Sequence, residues 1–142
     1  MQVIEIEPKP RLKPVFEMLK KFGYDYLYRL VDDKNLKKII SNGTDRTSPK
    51  HRFRWYDEEE IIKCYGINKN EFTFARPLKD MIAMIHESAK FDIGIYKGGF
   101  LILVYKANQM HELDRDAYLF LKKPKECLEA VIKVKDRDNK YN

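Results

Sequence analysis

The chain has few of the residues on which several classes of protein depend. Only two of its 142 residues are cysteine, Cys64 and Cys127, and their positions form neither a metal-binding nor a redox spacing. The three histidines add no cluster with metal-ligand spacing, so the sequence predicts no metal and no metal-dependent catalysis. Such sparse cysteine is typical of a reduced compartment, and we expect the protein in the cytoplasm.

Long apolar segments are also missing. The longest apolar run is Phe100–Tyr105, far shorter than the roughly 20 residues that a membrane-spanning helix needs. The opening residues, Met1–Glu5, have neither the basic start nor the apolar stretch of a secretory signal. We therefore expect no membrane partner. The sequence makes no prediction of the oligomeric state.

The composition that is present predicts a globular domain rich in β-structure. Hydrophobic residues make up 44% and aromatic residues 13%, with nine tyrosines and eight phenylalanines, which favours strands over a helix bundle. The length suits one domain over residues 1–142, with a core from about 15 to 135 and a flexible tail at 136–142. The net charge of +6 permits an anionic partner without requiring one.

The periodicity of the apolar residues predicts an α+β fold with a mixed or antiparallel central sheet and short helices on its flanks. Residues 100–105 are apolar without interruption, so we expect this strand in the centre, flanked by strands 26–31 and 72–75. Gly98 and Gly99 predict a hairpin that pairs residues 91–96 with this strand. The residues from 108 to 116 are expected to form a polar connector.

Arg29 is a cation in the middle of a predicted apolar strand. A helix is expected to follow, with Asp32 or Asp33 as its N-cap and Gly43 as its stop. Burying an unpaired arginine is costly, so Arg29 either points outward or meets an anion. The anion could be a ligand, or a fixed acid such as Asp25 or one of the acids in the 57–60 run.

Residues 46–56 alternate cations with aromatic residues. This pattern suits contact with nucleic-acid phosphates and stacking on bases. The period of two also fits a strand edge, with Phe53 and Trp55 facing the core and the arginines facing water. Both interpretations remain open. The residues predicted to bind nucleic acid are Arg46, Lys50, Arg52, Arg54 and Trp55.

Three segments in this order resemble the ADP-ribosyltransferase-like fold. Tyr28-Arg29-Leu30, the stretch 35–43 (Asn-Leu-Lys-Lys-Ile-Ile-Ser-Asn-Gly) and the strand 72–75 before a helix are similar to small members of that group. Those members include the DNA-targeting ADP-ribosyltransferase toxins and the RNA 2′-phosphotransferases. The resemblance covers roughly residues 24–134.

The resemblance implies NAD as cofactor. It assigns Arg29 to the phosphates, Thr73 to the ribose pocket and Tyr28 to the cofactor site. The family also needs a carboxylate, because a positive charge develops on the ribose as nicotinamide leaves. Here the chain departs from the pattern, since the late strand 118–121 carries no Glu. The candidate catalytic acids are Glu126, Asp116 and Glu112.

Two functions from different classes follow. The first is an NAD-dependent ADP-ribosyltransferase that acts on nucleic acid or protein. The second is a non-catalytic module that binds nucleic acid or a protein through residues 46–56. The acidic run at 57–60 is interpreted as the start of a helix, and His86 as a partly buried packing residue.

Overall fold

The computed structural model describes residues 1–8, 11–32, 35–45, 63, 72–90, 99–106, 110–112 and 119–135. Within these ranges the protein has a mixed α+β fold of seven strands and four helices. The strands are β1 (Gln2–Ile6), β2 (Tyr26–Asp32), β3 (Phe72–Ala75), β4 (Phe100–Lys106), β5 (Met110–Glu112), β6 (Leu119–Lys122) and β7 (Leu128–Val134). The helices are α1 (Lys13–Phe22), α2 (Leu36–Asn42), α3 (Leu78–Lys90) and α4 (Pro124–Cys127), with a 3-10 turn at Gly23–Asp25. None of the described helices is both long and apolar enough to cross a membrane.

The larger sheet has the strand order β1-β7-β4-β2. β1 runs parallel to β7, while β7 with β4 and β4 with β2 are antiparallel. This confirms the predicted α+β class with a mixed sheet. It also confirms the interior position of β4, whose first six residues, Phe100–Tyr105, are all buried.

The partners of β4 differ from those predicted. β2 occupies one edge from Phe100 to Lys106, and β7 occupies the other from Phe100 to Tyr105. β4 therefore has no edge left for the predicted hairpin, and that prediction is wrong. A strand has only two edges, and in β4 both are paired with strands that are distant in sequence. This long-range pairing with β2 and β7 replaces the predicted pairing with the neighbouring segment. Residues 91–98 themselves lie outside the described ranges.

β3 belongs to a second, antiparallel sheet with the order β3-β6-β5. The prediction that it flanks β4 is therefore wrong. The predicted polar connector is also wrong in part, because Met110–Glu112 forms β5. The two sheets are joined where Tyr28 of β2 and Arg76 exchange two backbone hydrogen bonds, with N···O distances of 2.8 and 2.7 Å.

The side chains of the larger sheet alternate between two separate cores. Ile102 and Val104 of β4 face one core, which α1 and α3 cover. Leu101 and Leu103 face the other core, which includes Ile39 of α2 together with Cys127 of α4. Successive residues of a strand point to opposite faces. The sheet is therefore covered on both sides, as a continuously apolar strand requires.

The ends of α2 show one correct and one wrong expectation. Gly43 ends the helix in the left-handed conformation (φ 77°), as predicted. The N-cap is Asn35, whose side chain accepts a hydrogen bond from the backbone N–H of Lys38 at 3.2 Å. The expected caps, Asp32 and Asp33, come too early because β2 continues through Asp32.

The central strand gives a direct test of this packing. We expect Leu103→Ala to lower the free energy of unfolding by about 2–5 kcal/mol, because Leu103 is fully buried and its loss leaves a cavity. The control is Val3→Ala in β1, where the side chain is 44% exposed. Urea unfolding followed by circular dichroism measures both. Equal effects of the two substitutions would contradict the central position of β4.

Candidate functional site

Arg29 lies in β2 and points to the face that α2 and α4 cover, on the same side as Leu27 and Val31. It is 9% exposed. Its Nε donates to Oδ1 of Asp45 at 2.6 Å, and its Nη1 donates to the backbone oxygen of Phe74 at 3.2 Å. The predicted anion is therefore present as a fixed acid within the chain.

Asp45 lies three residues beyond Asn42, the last residue of α2. Gly43 turns the chain toward β2, and Thr44 and Asp45 come next. The hydroxyl of Thr44 donates to Oδ1 of Asp45 at 3.3 Å, and it also shares a hydrogen bond of 2.8 Å with the hydroxyl of Thr73. We call the four side chains Arg29, Asp45, Thr44 and Thr73 the Arg29 network.

Tyr105 extends the Arg29 network into the core. It is fully buried in β4, and its hydroxyl donates a hydrogen bond to the backbone oxygen of Gly43. Burial raises the pKa of the Tyr105 phenol well above its usual range, so the hydroxyl stays protonated and remains a donor. Tyr105 therefore fixes the carbonyl of the residue that leads into Thr44 and Asp45.

The backbone of α4 lies directly against Gly43. A Cβ atom placed on Gly43 would come within 2.3 Å of the backbone nitrogen of Lys125. Only glycine permits so close an approach of two chain segments. This contact brings Glu126, the next residue of α4, to the same region of the molecule as the Arg29 network.

Of the three predicted cofactor-binding residues, the structure brings Arg29 and Thr73 together. Thr73 is fully buried, and a chain of hydrogen bonds through Thr44 and Asp45 connects it to Arg29. Tyr28 does not join them, because its side chain lies on the opposite face of the sheet. Its hydroxyl donates to the backbone oxygen of Gly23 at 2.6 Å, and burial raises the pKa of this phenol as well.

Of the three predicted catalytic acids, Glu126 has a described side chain. Glu126 is exposed in α4. Glu112 ends β5, where only the backbone is described, and Asp116 lies outside the described residues. The nucleic-acid set Arg46, Lys50, Arg52, Arg54 and Trp55 also lies outside them.

His86 is exposed on α3 and stacks on the ring of Phe16, with the ring centroids 4.3 Å apart. The contact agrees with the predicted packing role, but the prediction that His86 is partly buried is wrong, because its side chain is exposed. Within the described part of the chain, no three His, Cys, Asp or Glu side chains come close enough together to hold a metal ion.

Sequence reasoning missed three members of this region, namely Asp45, Thr44 and Tyr105. The expected fixed acids were Asp25 and the run at 57–60, whereas the acid found on Arg29 is Asp45. One signal could have found it. A buried arginine needs an anion, and Asp45 is the first acid after the glycine that ends α2.

Comparisons of this chain with protein-family models, with curated proteins and with solved structures find no match. The ADP-ribosyltransferase-like fold remains a prediction from the sequence.

The close contact at Gly43 predicts a strong effect of adding one methyl group. We expect Gly43→Ala to lower the free energy of unfolding by more than about 3 kcal/mol, because it combines an unfavourable φ with a clash against the Lys125 backbone. Gly23→Ala is the control, since Gly23 also has a positive φ (85°) but no neighbour within 4 Å. It should cost only the backbone strain of about 1–3 kcal/mol. Chemical denaturation measures both, and a larger loss in Gly23→Ala would contradict the close packing of α2 on α4.

Proposed function

We propose that the Arg29 network is the dinucleotide site of an ADP-ribosyltransferase-type enzyme that uses NAD. One observation carries the proposal. Arg29 and Thr73 are far apart in the sequence and lie in different sheets, yet they belong to one hydrogen-bonded network through Asp45 and Thr44. These are two of the residues that the resemblance assigns to the cofactor.

Arg29 has the chemistry that a diphosphate requires. A guanidinium offers parallel N–H donors that match two oxygens of a carboxylate or of a phosphate. The Asp45 carboxylate faces Nε and Nη2 of Arg29, at 2.6 and 3.5 Å. A diphosphate would take the place of this carboxylate. The bond from Nη1 to the Phe74 carbonyl would keep the guanidinium plane in position.

Thr73 fits a supporting role better than direct contact with a ligand. Its side chain has no exposed surface, and its hydroxyl is bonded to that of Thr44. Thr73 would therefore position Thr44, which in turn orients Asp45. Tyr28 has no part in the proposed site, since its hydroxyl is bonded to the Gly23 carbonyl on the other face.

Glu126 is the candidate acid that the geometry favours. It is exposed, and its helix contacts Gly43 beside the Arg29 network. When bound, NAD supplies the ADP-ribosyl group. Nicotinamide would be the leaving group and would take the electron pair of its bond to the ribose, while a nucleophile of a nucleic acid or a protein would accept the ADP-ribosyl group and lose a proton. A carboxylate near the ribose favours the positive charge that develops there.

Titration with NAD, followed by isothermal calorimetry, tests the proposal. We expect Arg29→Lys to weaken NAD binding by about tenfold or more, because lysine keeps the charge but loses the planar fork. Asp45→Asn should strengthen binding, because it removes the anion that competes for Arg29. Lys20→Gln is the control, since Lys20 is exposed on α1 on the other side of the sheet. No heat with the unmodified protein at millimolar NAD, or weaker binding by Asp45→Asn, would overturn the proposal.

The pairing of Arg29 with Asp45 also favours a second candidate function, a module that binds nucleic acid or a protein through residues 46–56. Asp45 already supplies an anion to the Arg29 guanidinium. The basic and aromatic stretch begins at the very next residue and contains four Lys or Arg residues with three aromatic ones. Cationic side chains can contact phosphates, and aromatic rings can stack on unstacked bases.

Salt dependence tests this second function. We expect a single-stranded oligonucleotide to bind more weakly as salt rises from about 50 to 200 mM, and each lost phosphate contact to flatten the log–log slope by about 0.7. Arg52→Gln with Arg54→Gln should show this flattening, and stacking on a base should quench Trp55 fluorescence. Binding that is insensitive to salt, or an unchanged slope in the double variant, would remove residues 46–56 from the function.

A further inference from the structure

Four lysines are exposed on the surface formed by α2 and α4. Lys37 and Lys38 lie in α2, while Lys123 and Lys125 lie at the start of α4. The buried residues of these helices, Ile39 and Cys127, pack on the same core. We call this outer surface the lysine face. Neither the sequence reasoning nor the proposed NAD site uses its lysines.

The lysines of α2 and of α4 lie on the same side of the larger sheet, because both helices pack on the same core. The two helices touch where Gly43 meets the Lys125 backbone. Seven residues of helix span only about 10 Å, so Lys37 and Lys38 are close to this contact. A distance of this order is comparable with the Debye length at about 0.1 M salt. Lysines of both helices can therefore contact one extended polyanion.

Few acids offset these charges among the described residues of this region. Glu126 is exposed directly after Lys125 in α4. Glu129 pairs with Lys106 at 3.4 Å, so these two neutralise each other. Asp45 is held by Arg29 in the network described above. Among the described residues, the lysine face thus presents four cations against the single carboxylate of Glu126.

We propose that the lysine face binds the phosphate backbone of a nucleic acid. Ammonium groups on one surface are typical of phosphate contacts that do not depend on base sequence. An anionic membrane would need large apolar side chains beside the lysines. The large apolar side chains that are exposed in the described residues lie elsewhere, at Met1, Val3 and Tyr24. The face does not depend on NAD binding or on residues 46–56.

A charge-matched pair of triple variants tests the lysine face. The test variant is Lys37→Gln/Lys38→Gln/Lys125→Gln. The control is Lys20→Gln/Lys21→Gln/Lys79→Gln, which removes the same charge from exposed positions of α1 and α3 on the other side of the sheet. Binding of fluorescein-labelled oligothymidylate is measured by anisotropy between about 50 and 200 mM salt. Circular dichroism confirms that both variants fold.

We expect the test variant to lose about tenfold or more in affinity at the low-salt end, and its log–log slope to flatten by about 2, which is three contacts at about 0.7 each. The control should change the affinity by less than about threefold, because it alters only the net charge. Equal losses in the two variants, or no binding by the unmodified protein, would overturn the proposal. Binding to phosphatidylserine vesicles that depends on the same lysines, without binding to the oligonucleotide, would also overturn it.

Discussion

The ion pair between Arg29 and Asp45 holds together three parts of the chain that are distant in sequence. Arg29 comes from β2, Asp45 follows α2, and the Phe74 carbonyl that accepts from Arg29 belongs to β3. Burying a guanidinium costs free energy unless its donors are satisfied. In this fold, the Asp45 carboxylate and the Phe74 carbonyl both accept hydrogen bonds from Arg29. The position of the Gly43–Asp45 segment therefore depends on Arg29, and the junction between the two sheets is built around the same side chain.

The sheet gives this ion pair a rigid support. β4 is paired on both edges, and its side chains alternate between two cores. Neither face of the sheet can therefore move without disturbing a packed helix. On one of those faces α2 and α4 meet so closely that a glycine is required at position 43. Tyr105 joins the two features, because it lies in β4 and its hydroxyl binds the Gly43 carbonyl. The Arg29 network is therefore anchored by the core as well as by its own hydrogen bonds.

The proposed functions use two kinds of cation. Arg29 is almost buried and already holds a carboxylate, so a ligand there must compete with an internal anion. The lysines of α2 and α4 are exposed, so a polyanion can reach them with no rearrangement of the core. Buried arginine suits a bidentate and selective contact, whereas exposed lysine suits a diffuse and salt-sensitive one. Both sets lie on the same side of the larger sheet, the side of α2 and α4, where Gly43 connects them.

Several local elements could be predicted from short stretches of sequence. Residue patterns predicted β2, β3, β4 and α2, and glycine chemistry identified Gly43 as the end of α2, because side-chain alternation and the conformation of glycine are properties of neighbouring residues. The packing of distant segments set the remaining features. It assigned β3 to a second sheet, gave β4 its partners β2 and β7, and chose Asn35 over Asp32 as the cap. It also chose Asp45 as the partner of Arg29. These outcomes depend on which distant surfaces meet and on which buried charge must be satisfied, and no short stretch of sequence contains that information.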